Sequence, residues 1–206
     1  MKKSLMELLG TFFLILTFVI TDNPFAVAAM LMAWVYIGGY VSGAHYNPMV
    51  TLAVALRSKH IPEHTLWYIA AQIIGGFLAF VVAAFLGAEI LLPMPDASLS
   101  LVQALVIEAG LAFVLAFVVL VVTTSEKFKA SDIFGFAIGF TIPALAAIGK
   151  VTTGGLFNPA ISLGATLFGL TKGMVVSWEH LAIYVIGAFI GGISAAYAFK
   201  FFFEEK

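Results

Sequence analysis

The sequence predicts an all-α membrane protein in which six transmembrane helices enclose two re-entrant half-helices, arranged as two inverted repeats. Three observations predict it. Apolar residues make up 62% of the chain and charged residues 10%, with a mean hydropathy of +1.09, far outside the range of soluble domains. The apolar residues run in long blocks rather than alternating, and in a bilayer, where no water satisfies the backbone, such blocks are stable as helices. Two further apolar stretches, each opening at an Asn-Pro pair, are only about half a membrane deep.

The six long stretches cover roughly 4–21, 25–42, 65–88, 100–123, 132–150 and 178–203, enough to cross about 30 Å of hydrocarbon at about 1.5 Å per residue. Around the first of them, Lys2 and Lys3, an apolar run and the triplet Ala26-Val27-Ala28 have the outline of a cleavable signal peptide. Glu7 inside the apolar run, and a matching segment in the second half, favour a retained span instead. The short stretches run from Asn47 to Leu56 and from Asn158 to Phe168, and end to end they complete one further span. Proline directly after asparagine suits a helix start, because Asn is a favoured cap and Pro at the first helical position loses no needed hydrogen bond. Irregular backbone at membrane depth is tolerated where it lines a cavity or is buried in protein, so the loops leading to Asn47 and Asn158 are expected to line a pore.

Basic residues orient the chain. Lys2, Lys3, Arg57, Lys59, Lys127, Lys129, Lys200 and Lys206 fall on one side of a six-span arrangement, leaving Lys150 and Lys172 opposite. The positive-inside rule then puts both termini in the cytoplasm. With three spans per half, the second half enters from the opposite side and the two half-helices meet tip to tip at mid-membrane. Glu7 and Glu108, Asn47-Pro48 and Asn158-Pro159, and Ile74-Gly75-Gly76 and Ile190-Gly191-Gly192 recur in the same order. Residues 1–206 therefore read as one domain of two repeats, approximately 1–90 and 100–206.

These residues resemble the major intrinsic protein family of aquaporins and glycerol facilitators. Glu7-Leu8-Leu9-Gly10-Thr11-Phe12 is similar to the family's first helix, and Ser42-Gly43-Ala44-His45-Tyr46-Asn47-Pro48 to its first pore loop. Ala71-Gln72-Ile73-Ile74-Gly75-Gly76 is similar to its third helix, and Gly154-Gly155-Leu156-Phe157-Asn158-Pro159-Ala160 to its second pore loop. The resemblance implies an aquaporin-like hourglass pore in each monomer, usually within a homotetramer, passing water and small neutral solutes across the lipid bilayer without a cofactor. Elementary electrostatics agrees, since two half-helix N-termini, each worth about half a positive charge, oppose cations where Asn47 and Asn158 offer amide donors.

The chain departs from the family pattern twice. Met49 follows Asn47-Pro48 where alanine is usual, either packing between half-helix and bundle or occupying the pore waist. After Asn158-Pro159-Ala160 stands Ile161, where arginine is usual. Aligned on the Asn-Pro anchors, the remaining positions of the family's outer constriction are Val27, Ala146 and Gly155, so this filter is expected to be wide and apolar. The chain's single arginine, Arg57, lies on the other side.

Several residues admit two readings. Glu7 and Glu108 are intramembrane carboxyls, hence a proton relay on general grounds or, as the family implies, acceptors for the loop backbone ahead of each half-helix. His45 either packs the first loop or contacts solute. His60 and His64 flank Glu63 in a cytoplasmic loop, or form a metal or pH gate. Lys150 either snorkels to the headgroups or extends a charge into the outer vestibule. Trp67 and Trp178 open spans, where interfacial aromatics belong.

A net charge of −1 gives no reason to expect a nucleic-acid partner, and the absence of cysteine removes thiol chemistry. No nucleophile lies beside a base and no glycine loop suits a phosphate, so an enzyme is not expected. A secondary transporter and a low-permeability structural or junctional protein of the same fold are the competing classes. The short loops suit a prokaryotic plasma membrane.

Overall fold

The computed structural model describes residues 1–58, 61–125 and 132–203. Eight helices are formed among them: α1 (Lys2–Thr21), α2 (Pro24–Gly38), α3 (Pro48–Arg57), α4 (Thr65–Phe85), α5 (Leu101–Thr124), α6 (Phe134–Gly149), α7 (Pro159–Thr171) and α8 (Trp178–Phe203). Four of these, α1, α4, α5 and α8, are long and apolar enough to cross a membrane. The other two expected spans are shorter. α2 has 15 residues and α6 has 16, about 23 and 24 Å of helix at about 1.5 Å per residue.

The shortening of α2 serves a distant contact. The chain leaves helix at Gly38, whose carbonyl accepts from both Val41 and Ser42 at 2.9 Å, while Gly39 accepts from Gly43 at 3.1 Å. The apolar composition continues to Val41, but the turn is needed to swing Ser42 inward to Glu7. In α6, Pro143 removes one backbone donor from within the helix.

The helix contacts of the first half recur in the second. α1 packs on α4 as α5 packs on α8, α4 on α7 as α8 on α3, and α1 on α2 as α5 on α6, while α2 meets α6 and α3 meets α7. Adjacent glycines make this possible. A Cβ on Gly75 would lie 2.5 Å from the Leu8 carbonyl oxygen, and one on Gly191 would overlap that of Ala109, so neither helix pair could approach as it does. The next glycine in each pair faces a half-helix, Gly76 against Ala160 and Gly192 against Met49. Small residues thus serve two directions at once, and dispersion between closely apposed backbones takes the place of the hydrophobic effect that lipid cannot supply. Trp67 and Trp178 open α4 and α8 and are largely exposed.

Candidate functional site: a cavity between two half-helices

Asn47 and Asn158 cap α3 and α7 with extended backbone, each followed by proline at the first helical position. Their side-chain oxygens accept from Met49 N at 2.9 Å and Ala160 N at 3.0 Å. With the oxygens so used, each amide nitrogen must face away from its own helix. Asn47 Nδ2 donates to the Phe157 carbonyl at 3.0 Å, and Asn158 Nδ2 donates to the Tyr46 carbonyl at 3.1 Å. The two tips are thereby tied to one another by reciprocal bonds. A primary amide nitrogen carries two hydrogens, so one on each remains after this exchange, and both asparagines line the same cavity.

The loops ahead of the half-helices are conformationally costly. Gly43, Ala44 and Tyr46 have φ of 96°, 54° and 50°, and Gly154, Gly155 and Phe157 have 86°, 63° and 32°. A positive φ at a residue bearing a Cβ costs roughly 1–2 kcal/mol, so Ala44, Tyr46 and Phe157 need external anchoring. Glu7 provides it in the first half, accepting from Ser42 Oγ, from His45 N at 3.0 Å, from Tyr46 N at 2.7 Å and from Gln72 Nε2 at 2.8 Å. Glu108 does the same in the second, accepting from Thr153 Oγ1, from Leu156 N at 3.2 Å and from Phe157 N at 2.9 Å. Both carboxyls are fully buried, and their oxygens are occupied by these bonds.

Sequence reasoning missed the outer braces of this framework. Tyr68 OH donates to the Ser42 carbonyl at 2.9 Å and Tyr184 OH to the Thr153 carbonyl at 2.7 Å. The signal was present, because each tyrosine stands seven residues before the first glycine of its pair, Gly75 or Gly191. Ser42 and Thr153 likewise both stand five before their asparagine. The Tyr46 phenol fits where a Cβ on Gly10 or Gly38 would overlap it, and donates to the Trp34 carbonyl at 2.8 Å.

A cavity of about 90 Å³ runs past both tips, room for several water molecules at about 10–15 Å³ each. Val27, Ala146, Gly155 and Ile161, the four positions assigned to an outer filter, all line it, as do His45 and Lys150. Gly155 combines a left-handed φ with close approach to Gly149 of α6, 2.7 Å from a would-be Cβ to its Cα, so no side chain fits there. His45 Nδ1 lies 3.2 Å from Thr51 Oγ1, and its ring sits edge-on to Tyr68. The histidine therefore belongs to the loop framework and to the cavity wall together.

Met49 is fully buried, with its side chain against Gly192 of α8, and it is not among the cavity-lining residues. Met49→Ala is expected to leave a void beside Gly192 and to cost about 2 kcal/mol or more. A lowered thermal midpoint in detergent with little change in permeability is the expected observation.

Lys150 lines the cavity and is paired there. Its Nζ pairs with Asp22 Oδ2 at 2.7 Å, at the turn between α1 and α2. Arg57 lies elsewhere, with Nη2 donating to the Thr124 carbonyl at 2.9 Å and its guanidinium 5.0 Å over the Phe199 ring. His64 lies against Tyr68, whereas His60 lies outside the described residues, as do Lys59, Lys127, Lys129 and Lys206.

A helical bundle whose two half-helices meet across a lined cavity defines a membrane channel as the class of protein. The family model described as Major intrinsic protein matches residues 17–199, and the chain belongs to that family. It is 33% identical to the glycerol uptake facilitator protein-like 6 of Lactiplantibacillus plantarum, with 96% of each chain covered. It is 32% identical to aquaporin NIP1-1 of Zea mays, over 97% of this chain and 74% of that one. Among solved structures, the aquaglyceroporin from Plasmodium falciparum superposes with a TM-score of 0.83 at 18% identity, over 96% of this chain and 94% of that one. That last likeness establishes the fold.

Proposed function

We propose that this channel passes water together with at least one neutral solute larger or less polar than water, such as glycerol, urea or ammonia. The observation that carries the reading is the apolar outer ring of Val27, Ala146, Gly155 and Ile161, in a chain whose single arginine is engaged at the end of α3. Such a ring offers width and few donors. Solutes that keep part of their own hydration, or need little, cross it at low cost. The names borne by the relatives, a glycerol uptake facilitator-like protein and an aquaglyceroporin, are in keeping with this breadth.

Ions are excluded at the waist. There the positive ends of α3 and α7 and the remaining hydrogens of Asn47 and Asn158 meet a water oxygen favourably and a cation unfavourably. A coupled transporter needs intramembrane groups free to take up an ion, and the oxygens of Glu7 and Glu108 are already occupied. In this reading residues 1–90 and 100–206 enter the membrane with opposite sense and both termini are cytoplasmic. The functional unit is a homotetramer in a prokaryotic plasma membrane.

Stopped-flow measurements on proteoliposomes, with water, glycerol, urea and ammonia compared against empty vesicles, test the reading. Flux of water and of one or more larger solutes, without proton leak, is the expected result. Passage of water alone overturns it.

A further inference from the structure

Asp22 and Lys150 are the only carboxylate and ammonium among the described residues lining the cavity, and they meet each other at 2.7 Å. Both are held by local backbone chemistry. Asp22 ends α1 in the left-handed conformation, φ 44° and ψ 29°, with its N–H on the Phe18 carbonyl, a conformation that a short polar side chain tolerates. The next residue, Asn23, caps α2 through bonds from Phe25 N and Ala26 N, so the turn carrying Asp22 is fixed at both ends. Lys150 caps the C-terminus of α6, its N–H on the Ala146 carbonyl at 2.8 Å.

The register matters. Lys150 stands one helical turn beyond Ala146, and Asp22 stands just ahead of the first turn of α2, which carries Val27. The pair and two members of the apolar ring, Val27 and Ala146, are therefore consecutive stations on the same two segments. The side chains of the pair are 60% and 81% exposed. At that exposure its contribution to folding stability is small, which leaves its position at the cavity mouth as the feature that distinguishes it.

We propose that the Asp22–Lys150 pair is a specificity-determining element of the outer mouth, exchanging hydrogen bonds with a neutral solute before the apolar ring strips its water. The ammonium donates and the carboxylate accepts, side by side. A solute with a donor and an acceptor on neighbouring atoms, a vicinal diol or a urea, satisfies both at once and meets no net charge. The ring beyond supplies no such groups from Val27, Ala146 or Ile161 side chains. The pair thus favours polyols and amides relative to water.

The proposal rests on the solute-channel reading above, and the experiment separates the two. The ratios of glycerol and urea permeability to water permeability are measured in proteoliposomes for the native protein, Asp22→Asn, Lys150→Met and the double variant. Asn keeps the left-handed turn accessible, and Lys150→Met tests the pair without touching that turn. Each single variant is expected to lower the ratios about threefold, and the double variant to lower them no further, because the partners act as one unit. Raising salt from about 0.05 to about 0.5 M shortens the screening length severalfold. It is expected to lower the native ratios and to leave those of Lys150→Met unchanged. Native ratios that match those of the single variants, or losses that multiply in the double variant, overturn the pair's role alone. Native protein that passes neither glycerol nor urea overturns the solute reading and this proposal together.

Discussion

Glu108→Leu is expected to remove most of the folded protein from the membrane fraction, and Glu7→Leu to do so at least as completely. Leucine fills a similar space but accepts nothing. In the second half this orphans the Thr153 hydroxyl and the Leu156 and Phe157 amides. In the first it orphans the Ser42 hydroxyl and the His45 and Tyr46 amides, and deprives Gln72 of one acceptor. A buried donor left without a partner costs roughly 1–3 kcal/mol, so three or more together approach the roughly 5–15 kcal/mol by which a typical domain is stable. The same bonds also hold Ala44, Tyr46 and Phe157 at positive φ, and without them the loops relax toward conformations that no longer aim α3 and α7 at one another. Glutamine retains one accepting oxygen and turns a donor toward the remaining donors, so Glu→Gln variants are expected to fall between native and leucine. Detergent extraction followed by size-exclusion profiles and thermal scans reads the effect. Leucine variants that fold normally and change only in conductance would instead assign the carboxyls to transport.

The parts of this architecture that were legible in the sequence are those set by local chemistry. An Asn-Pro pair announces a capped helix start whatever surrounds it, and so α3 and α7 were visible as short helices before any tertiary contact was known. The register of the two repeats carried the next layer, because Glu7 and Glu108 precede their Asn-Pro and paired-glycine motifs in the same order. That same register would have exposed Tyr68 with Tyr184 and Ser42 with Thr153, had the comparison been extended beyond carboxylates and glycines. What the sequence did not disclose depends on distant partners. The end of α2 at Gly38 is dictated by the need to bring Ser42 to Glu7, thirty-five residues away, and hydropathy through Val41 gives no sign of it. Likewise nothing in the sequence sets Asp22 apart until α6 places Lys150 beside it across 128 positions. Met49, conspicuous as a departure from the family pattern, proves to be matched by a glycine at position 192.

Ile161→Arg is expected to cut passage of the larger solutes several-fold, with water flux falling less. Ile161 is buried in the first turn of α7, its N–H on the Asn158 carbonyl at 2.9 Å, so its backbone is held beside the waist and its side chain has nowhere to go but the cavity wall. The cavity measures about 90 Å³, and a guanidinium placed there takes up a share of it that a polyol needs and a single water does not. It also adds five donors in a rigid fork, which a lone water oxygen can use as it passes and which a wider solute must squeeze beside. Its positive charge reinforces the barrier that the two half-helix ends already present to cations. The new cation lies in the same cavity as Lys150, and Asp22, already paired, offers it no counter-charge without giving up its partner. Some loss of stability is therefore expected alongside the change in selectivity, and normalising flux to reconstituted protein separates the two. Paired water and glycerol flux in proteoliposomes of the native and substituted proteins decides the matter. If the ratio is unchanged by the substitution, then Phe157 or Lys150, which line the same cavity, sets its narrowest point, and the filter is not the ring of Val27, Ala146, Gly155 and Ile161.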